Sequence, residues 1–176
     1  MSDTPPGSLI SERTIEELCR RAGDTPVGAF VEVGVYRGGS GWWLAKKAQE
    51  QGRACYLYDT FTGIPYKGPL DSHVVGDFGD TDYETVKAAI PYAQVIKGVF
   101  PASAVEMGPV AAVHLDCDQY QSIVDSVNFL LPLMPKGGLL WFDDYACLPG
   151  ATKAVKDLFG ENYKISDVGG KAYVVL

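Results

Sequence analysis

The sequence predicts an α/β fold in which a mostly parallel β-sheet carries helices on both faces and includes an antiparallel strand at its carboxyl end. Short apolar runs typical of buried parallel strands alternate with helical segments along the 176 residues. Gly169-Gly170 separates the last two strand-like segments, and such a pair indicates a tight hairpin, so the final strand should run against the others. Because this length suits one domain, we expect residues 1–176 to form a single one.

Three strands and three helices are predicted in the first half of the chain. Ser11 is a suitable N-cap for the first helix, and Gly23 is a suitable stop. The segment 60–79 is rich in Gly, Pro and Asp and should form a loop, after which a capping box at Thr81 to Glu84 should open a helix. The predicted elements are helix 12–22, strand 29–34, helix 41–51, strand 54–58, a helix ending at about 90, and strand 93–97.

The second half continues the alternation and then closes with the hairpin. Pro135 and the glycines at 137 and 138 should end a long helix before the next strand. Strands that alternate with helices favour parallel pairing with right-handed crossovers. The predicted elements are strand 110–115, helix 120–134, strand 139–142, helix 151–159, and strands 163–168 and 172–176.

The composition argues against nucleic-acid and membrane partners. The formal net charge is −7, and the basic stripe that would neutralise phosphates is missing from the sequence. Apolar stretches stay well short of the ~20 residues that span a bilayer, and residues 1–10 lack the features of a signal peptide. The four cysteines form no Cys-x-x-Cys motif, which favours a reduced, cytoplasmic protein over a disulfide scaffold or a zinc site.

Acidic residues follow three of the predicted strands: Asp59, then Asp116 and Asp118, then Asp143 and Asp144. In such a sheet, ligands bind outside the carboxyl ends of the strands, so these acids should face one crevice. If the last two of these strands are neighbours, their ends lie about 4.8 Å apart. Two carboxylates ~4 Å apart repel by roughly 4 kcal/mol at an effective dielectric constant of 20, so a cluster needs a proton or a hard cation such as Mg²⁺. The alternative is that these acids are unrelated helix caps.

A glycine turn, which we define as residues 32–40, follows the first strand. Its glycines allow close approach of a ligand, and the next helix offers free amides to a carboxylate. The turn lacks the Gly-x-Gly-x-x-Gly pattern of dinucleotide sites and the Gly-Lys-Ser/Thr of phosphate loops. Asp59 is in a position to accept both hydroxyls of a ribose. Together these features suggest an adenosine ligand that carries a carboxylate, although a purely structural turn remains an alternative.

Five successive motifs, at 30–40, 59–65, 97–101, 115–120 and 137–145, resemble those of the macrocin O-methyltransferase family. These are class I methyltransferases that modify sugars and phenols in natural products, and a more distant similarity is to catechol O-methyltransferase. The resemblance covers about residues 28–146. It implies a Rossmann-like class I methyltransferase fold with a seven-stranded sheet.

The resemblance also implies roles for individual residues. Asp59 would hold the ribose of S-adenosylmethionine, and Mg²⁺ or another divalent cation would bind Asp116, Asp143 and Asp144. Asp118 would act as the general base, a role that Asp116 could take in its place. The glycine turn would hold the methionine end of S-adenosylmethionine through Glu32, Gly34, Tyr36, Gly38 and Ser40. Asp116 would also contact S-adenosylmethionine.

The expected activity is therefore methyl transfer from S-adenosylmethionine to a hydroxyl of a small molecule, such as a sugar or a phenol. Two alternatives stay open: a nicotinamide-dependent oxidoreductase on a similar sheet, and a non-catalytic S-adenosylmethionine-binding module. Only about 28 residues precede the first strand, fewer than in family members. We expect the acceptor pocket to be open, to be completed by a second subunit of a homo-oligomer, or to suit a large acceptor. His114 is expected in the core, and His73 is a weaker candidate for the acceptor pocket.

Overall fold

The structure is a computed structural model that describes residues 4–176. Within that range seven strands form one sheet in the order β3-β2-β1-β4-β5-β7-β6. The strands are β1 (Ala29–Val33), β2 (Cys55–Asp59), β3 (Gln94–Lys97), β4 (Val110–Leu115), β5 (Leu139–Phe142), β6 (Ser166–Val168) and β7 (Lys171–Val175). The helices are α1 (Glu12–Gly23), α2 (Gly39–Glu50), α3 (Tyr83–Ala89), α4 (Tyr120–Leu130) and α5 (Pro149–Phe159).

The strand order reverses between β1 and β4, which opens the crevice used by ligands in doubly wound sheets. From β1 the chain builds outwards through β2 and β3, and then crosses to β4 on the other side of β1 and continues to β5. The pairs among these five strands are parallel, whereas β7 is antiparallel to both β5 and β6. The predicted Rossmann-like fold with an antiparallel carboxyl-terminal strand is therefore confirmed.

Both faces of the sheet are buried, which explains why most residues of its central strands are apolar. Successive side chains of a strand point to opposite faces. In β1, Phe30 packs into the core beside α2, whereas Val31 and Val33 pack into the core beside α4 and α5. Each residue of β1 and β4 is buried. A strand that must fill two cores cannot alternate with exposed polar residues, so the sequence shows a mainly apolar run. The polar residues of β1 and β4 are Glu32 and His114, which are buried against each other.

Several element ends differ from the prediction. The helix predicted at 120–134 is α-helical only to Leu130 and ends in a 3₁₀ helix at Leu131–Leu133, because Pro132 cannot donate a backbone hydrogen bond. The strand predicted from 163 begins at Ser166, since the Tyr163 amide still bonds to the carbonyl of Phe159.

Three helix starts also differ from the prediction, and one of them is that of α2, which begins at Gly39 and not at 41. The N-cap of α3 is Asp82, whose side chain accepts from the Thr85 amide, so the predicted capping box at Thr81 is off by one residue. Helix α5 begins two residues before the predicted start, with Pro149 at its first position, where the missing amide costs nothing. In the part of the chain that the structure describes, every helix is too short or too polar to cross a bilayer.

Candidate functional site

A cavity of about 310 Å³ opens at the carboxyl ends of β1, β2 and β4, where the strand order reverses. This volume is at the lower end of the range of small-molecule sites. Its walls come from the glycine turn, the loop after β2, the acids after β4 and β5, and the segment before α1. Residues that line it include Gly7, Ser8, Gly34, Tyr36, Ser40, Asp59, Ile64, His73, Phe78, Val99, Asp116, Cys117, Asp118, Asp143, Asp144 and Lys171.

Gly34 allows the ends of β1 and β4 to approach each other. Its φ is +97°, and a Cβ at this position would lie 1.9 Å from the carbonyl oxygen of Asp116. No L side chain fits there. The glycine is therefore required both by its backbone conformation and by the neighbouring strand end, and it leaves space on the cavity side.

The residues predicted to hold a methionine group divide into wall residues and supporting residues. Tyr36 and Ser40 line the cavity together with Gly34. Glu32 is fully buried beneath the turn, where Oε1 accepts a 2.6 Å hydrogen bond from the Ser40 hydroxyl. Gly38 is the N-cap of α2 with a φ of 89°, and a Cβ there would meet Ile90. Glu32 and Gly38 are thus not among the residues that line the cavity, and both support the turn from behind.

Asp59 ties the glycine turn to the end of β2. Its Oδ2 accepts hydrogen bonds from the backbone amides of Val35 (2.8 Å) and Tyr36 (2.7 Å), and Oδ1 accepts from the amide of Phe61 (2.7 Å). Asp59 lines the cavity as well. The carboxylate therefore fixes the backbone of the turn while it also forms part of the cavity wall.

The segment before α1 closes one side of the cavity. Residues 7–10 line it, and Ser8 lies so close to the start of α2 that a Cβ on Gly39 would come within 2.5 Å of the Ser8 Cβ. Gly39 is therefore needed for this contact. The contribution of these residues to the wall is not evident from the sequence pattern, because it depends on where the segment before α1 packs.

The acids after β4 and β5 converge, as the sequence predicts. The Asp143 amide bonds to the carbonyl of Leu115, which puts the ends of β4 and β5 side by side. One carboxylate oxygen from each of Asp116, Asp143 and Asp144 lies within 4.8 Å of the others. Such a group of oxygens is suited to a hard divalent cation.

The protonation of this acid cluster follows from burial and from nearby charges. Burial, reinforced by the negative charge of Asp143, raises the pKa of Asp116 well above its usual value. Burial and Asp143 also raise the pKa of Asp144. For Asp143 the effect of burial is outweighed by His114 and Lys171, so its pKa lies below the usual value. Of the three carboxyl groups, Asp143 is therefore the one whose surroundings favour the ionised form.

Asp118 lies beside His73 in the wall of the cavity. Asp118 Oδ1 lies 3.8 Å from Nε2 of His73, and Nδ1 of His73 lies 3.4 Å from a carboxylate oxygen of Asp77. Burial, together with the charge of Asp144, raises the pKa of Asp118 to about 8. Its backbone has a φ of +61°, which is uncommon for a non-glycine residue and turns the chain after β4.

His114 lies directly behind the site, in the core as expected. Its Nδ1 is 3.3 Å from Glu32 Oε1 and its Nε2 is 3.9 Å from Asp143 Oδ1, with the side chain fully buried. Burial lowers the pKa of His114, but the carboxylates of Glu32 and Asp143 raise it more, so the pKa lies well above the usual value. The imidazolium therefore links the support of the glycine turn to the acid cluster.

Lys171 also belongs to the cavity, and the sequence motifs do not single it out. Its ammonium group donates to Asp143 Oδ2. The sequence does indicate where Lys171 lies, because this residue directly follows the Gly169-Gly170 hairpin. A strand antiparallel to β5 begins at the sheet edge where β5 ends, and the register pairs Phe142 with Ala172.

A sequence comparison identifies a related O-methyltransferase. A protein of Streptomyces olivaceus, 8-demethyl-8-(2,3-dimethoxy-alpha-L-rhamnosyl)-tetracenomycin-C 4'-O-methyltransferase, is 31% identical over 163 residues. The match covers 80% of this chain, and the chain spans about 60% of the length of that relative.

Two solved structures show the same fold. The O-methyltransferase NovP superimposes with a TM-score of 0.81 and 21% identity, over 96% of this chain and 81% of that chain. The calicheamicin methyltransferase CalS11 gives a TM-score of 0.75 and 20% identity, over 93% of this chain and 77% of that chain. The family model described as macrocin-O-methyltransferase (TylF) matches residues 12–168, which is most of the sequence. With its acid cluster and glycine turn on one cavity, the chain belongs to the macrocin O-methyltransferase family.

Proposed function

We propose that this protein transfers a methyl group from S-adenosylmethionine to a hydroxyl group of a small molecule, with a sugar as the first choice and a phenol as the second. The observation that carries the proposal is that the glycine turn and the acid cluster line one cavity. The name of the Streptomyces olivaceus relative describes methylation of a rhamnosyl hydroxyl, which supports a sugar.

The glycine turn would hold the methionine end of S-adenosylmethionine. Helix α2 begins at the carboxyl end of β1, so the backbone amides of its first turn lie at the cavity end of the sheet. The N-terminus of a helix stabilises a bound negative group such as a carboxylate. Gly34, Tyr36 and Ser40 provide the wall, Glu32 and Gly38 support it, and Asp59 would accept the ribose hydroxyls. When bound, S-adenosylmethionine supplies a methyl group on a positively charged sulfur, which suits a cavity with acidic walls.

Asp118 would be the general base, with Asp116 as the alternative. Transfer to oxygen breaks the bond between sulfur and the methyl carbon, forms a carbon–oxygen bond and releases the hydroxyl proton to a carboxylate. A base works best when its pKa lies near the working pH, and burial raises the pKa of Asp118 to about 8. His73 lies on the same side of the cavity and would help to form the acceptor pocket.

The residues present fit a divalent cation. Among the described residues, Asp143 Oδ1 and Asp144 Oδ2 are buried atoms without a hydrogen-bond partner, and buried polar atoms need one. We propose that Asp116, Asp143 and Asp144 hold Mg²⁺, or another hard divalent cation, with waters completing its shell. When bound, the ion would lower the pKa of an acceptor hydroxyl and fix its position.

The double variant Asp143→Ala/Asp144→Ala tests the separation of the two roles. We expect transfer of labelled methyl groups to a panel of sugars and phenols to be lost, while calorimetry gives an S-adenosylhomocysteine affinity within severalfold of the parent. The matched control is Glu84→Ala/Glu161→Ala, which removes the same charge from exposed positions. Loss of S-adenosylhomocysteine binding in the site variant would contradict the proposal, and EDTA should reproduce the loss of transfer.

If the protein were a nicotinamide-dependent oxidoreductase, it would bind NAD and not S-adenosylhomocysteine. The glycine turn lacks the dinucleotide pattern, and the family model supports a methyltransferase. Calorimetry with S-adenosylhomocysteine and with NAD separates the two functions, because only the first ligand should bind. S-adenosylhomocysteine binding without any turnover on the acceptor panel would instead favour a non-catalytic binding module.

A further inference from the structure

Lys171 reaches the acid cluster from a strand that supplies none of its carboxylates. It is the first residue of β7, which runs against β5. Its ammonium group donates to Asp143 Oδ2, and the exposed fractions of the two side chains are 18% and 6%. The pair is thus largely shielded from water, where an ionic contact is stronger than at the surface.

The contact occupies a carboxylate that a divalent cation would use. Asp143 has two oxygens: Oδ2 accepts from Lys171, and Oδ1 faces Nε2 of His114 at 3.9 Å. An ion bound by Asp143 together with Asp116 and Asp144 would therefore lie close to the Lys171 ammonium. The ion and the Lys171 ammonium group both carry a positive charge, and they repel each other when they are close. Ion binding must therefore weaken or displace the contact between Lys171 and Asp143.

We propose that Lys171 is a built-in competitor of the divalent cation, which neutralises Asp143 when no ion is bound and thereby lowers the affinity of the site for metal. This inference rests on the metal site of the proposed function. Lys171 acts through Asp143 and is a positioning residue. It keeps the three carboxylates together in the metal-free protein and sets how much free metal is needed to load the site.

The test is calorimetric titration of Mn²⁺ into the full chain, with S-adenosylhomocysteine present. Replacing the competing charge by an apolar chain of similar length, in Lys171→Met, should tighten Mn²⁺ binding at least tenfold. Lys171→Arg retains the charge and should stay within about threefold of the parent. The matched control is Lys153→Met, which removes a lysine from an exposed pair with Asp157 and should leave the affinity unchanged.

Two further measurements keep the inference falsifiable. In an Asp143→Asn background, adding Lys171→Met should bring no gain in Mn²⁺ affinity over Asp143→Asn alone, because Asp143 carries the competition. The rise in melting temperature on adding Mn²⁺ should be larger for Lys171→Gln than for the parent, which covers poor folding of the methionine variant. Mn²⁺ affinity that is unchanged or weaker without Lys171, or Mn²⁺ binding by none of the variants, overturns the inference. S-adenosylhomocysteine titrated alone reports on the proposed function separately, since the residues proposed to hold it lie in the glycine turn and at the end of β2, not in β7.

Discussion

At the scale of single residues, the site depends on a close backbone contact that a residue with a side chain could not make. Gly34 is the clearest case, because its backbone has a positive φ and also faces a carbonyl oxygen of the neighbouring strand end. Ser40, Glu32 and His114 then form a buried polar chain behind the turn. Substitutions at these positions should therefore affect stability and ligand binding together.

Gly34→Ala should lower both the free energy of unfolding and the affinity for S-adenosylhomocysteine. A positive φ costs about 1–3 kcal/mol for a non-glycine residue. The clash with Asp116 O at 1.9 Å adds to that cost and moves the cavity wall. We expect at least a tenfold loss of affinity by calorimetry. Gly76→Ala is the control, since Gly76 has a φ of 92° with open space around it and reports the backbone cost alone. Equal losses in the two variants would contradict this account.

His114→Leu should lower the free energy of unfolding by about 3 kcal/mol, because it leaves the buried carboxylate of Glu32 without its counter-charge. Urea denaturation measures the change. Adding Glu32→Gln to the variant should recover part of the loss, since the uncompensated charge is then removed. If the double variant is as unstable as the sum of its single changes, the two side chains are not coupled and His114 is an ordinary core residue.

At the scale of elements, the loop after β2 forms a wall of the cavity because it is fastened to α4. Asp71 is buried, and its Oδ1 accepts from the Tyr120 amide at 2.9 Å while Oδ2 accepts from the Gly68 amide at 2.7 Å. Gln119, the N-cap of α4, makes no side-chain capping bond, so Asp71 serves as a cap supplied from 49 residues away. The Gln119 side chain also donates to the carbonyl of Tyr66.

Asp71→Ala should therefore free the loop as well as weaken α4. Loss of a capping group costs about 0.5–2 kcal/mol, and two backbone amides lose their partner. We expect faster limited proteolysis within 64–79 and little change in S-adenosylhomocysteine affinity. Asp82→Ala removes the exposed cap of α3 and is the control, because it should cost stability without opening this loop. An unchanged cleavage rate in Asp71→Ala would show that other contacts hold the wall.

The same elements show what the sequence could predict. Strands β1 and β4 are mainly apolar because they fill two cores, and the hairpin glycines have the positive φ values that a tight turn needs. The acids of the site follow strand ends, so their convergence could be predicted. The cap supplied by Asp71 could not, because it depends on tertiary packing that no local pattern encodes. For Lys171, the hairpin glycines indicate the sheet edge where it lies, but its contact with Asp143 depends on the pairing of β7 with β5.

At the scale of the whole molecule, the four cysteines lie in different parts of the fold and differ in exposure. Cys19 lies in α1, Cys55 is buried in β2, Cys117 lies beside the acid cluster and Cys147 is exposed after β5. Burial raises the pKa of Cys19 to about 12 and holds the pKa values of Cys55 and Cys117 well above the usual value. The thiolate is the reactive form of cysteine, so these three side chains should react much more slowly than Cys147.

The native protein should therefore show one fast-reacting thiol with a disulfide reagent at pH 8, and four in denaturant. Cys147→Ser should remove the fast phase, whereas Cys55→Ser should leave it intact. The slow phase reports opening of the sheet, because Cys55 is reached only when β2 separates from its helix layer. S-adenosylhomocysteine at 100 times its dissociation constant stabilises the bound fold by about 2.7 kcal/mol, which should slow the Cys55 reaction roughly a hundredfold when opening is global. A slow phase that the ligand leaves unchanged would mean that β2 opens locally without disturbing the cavity.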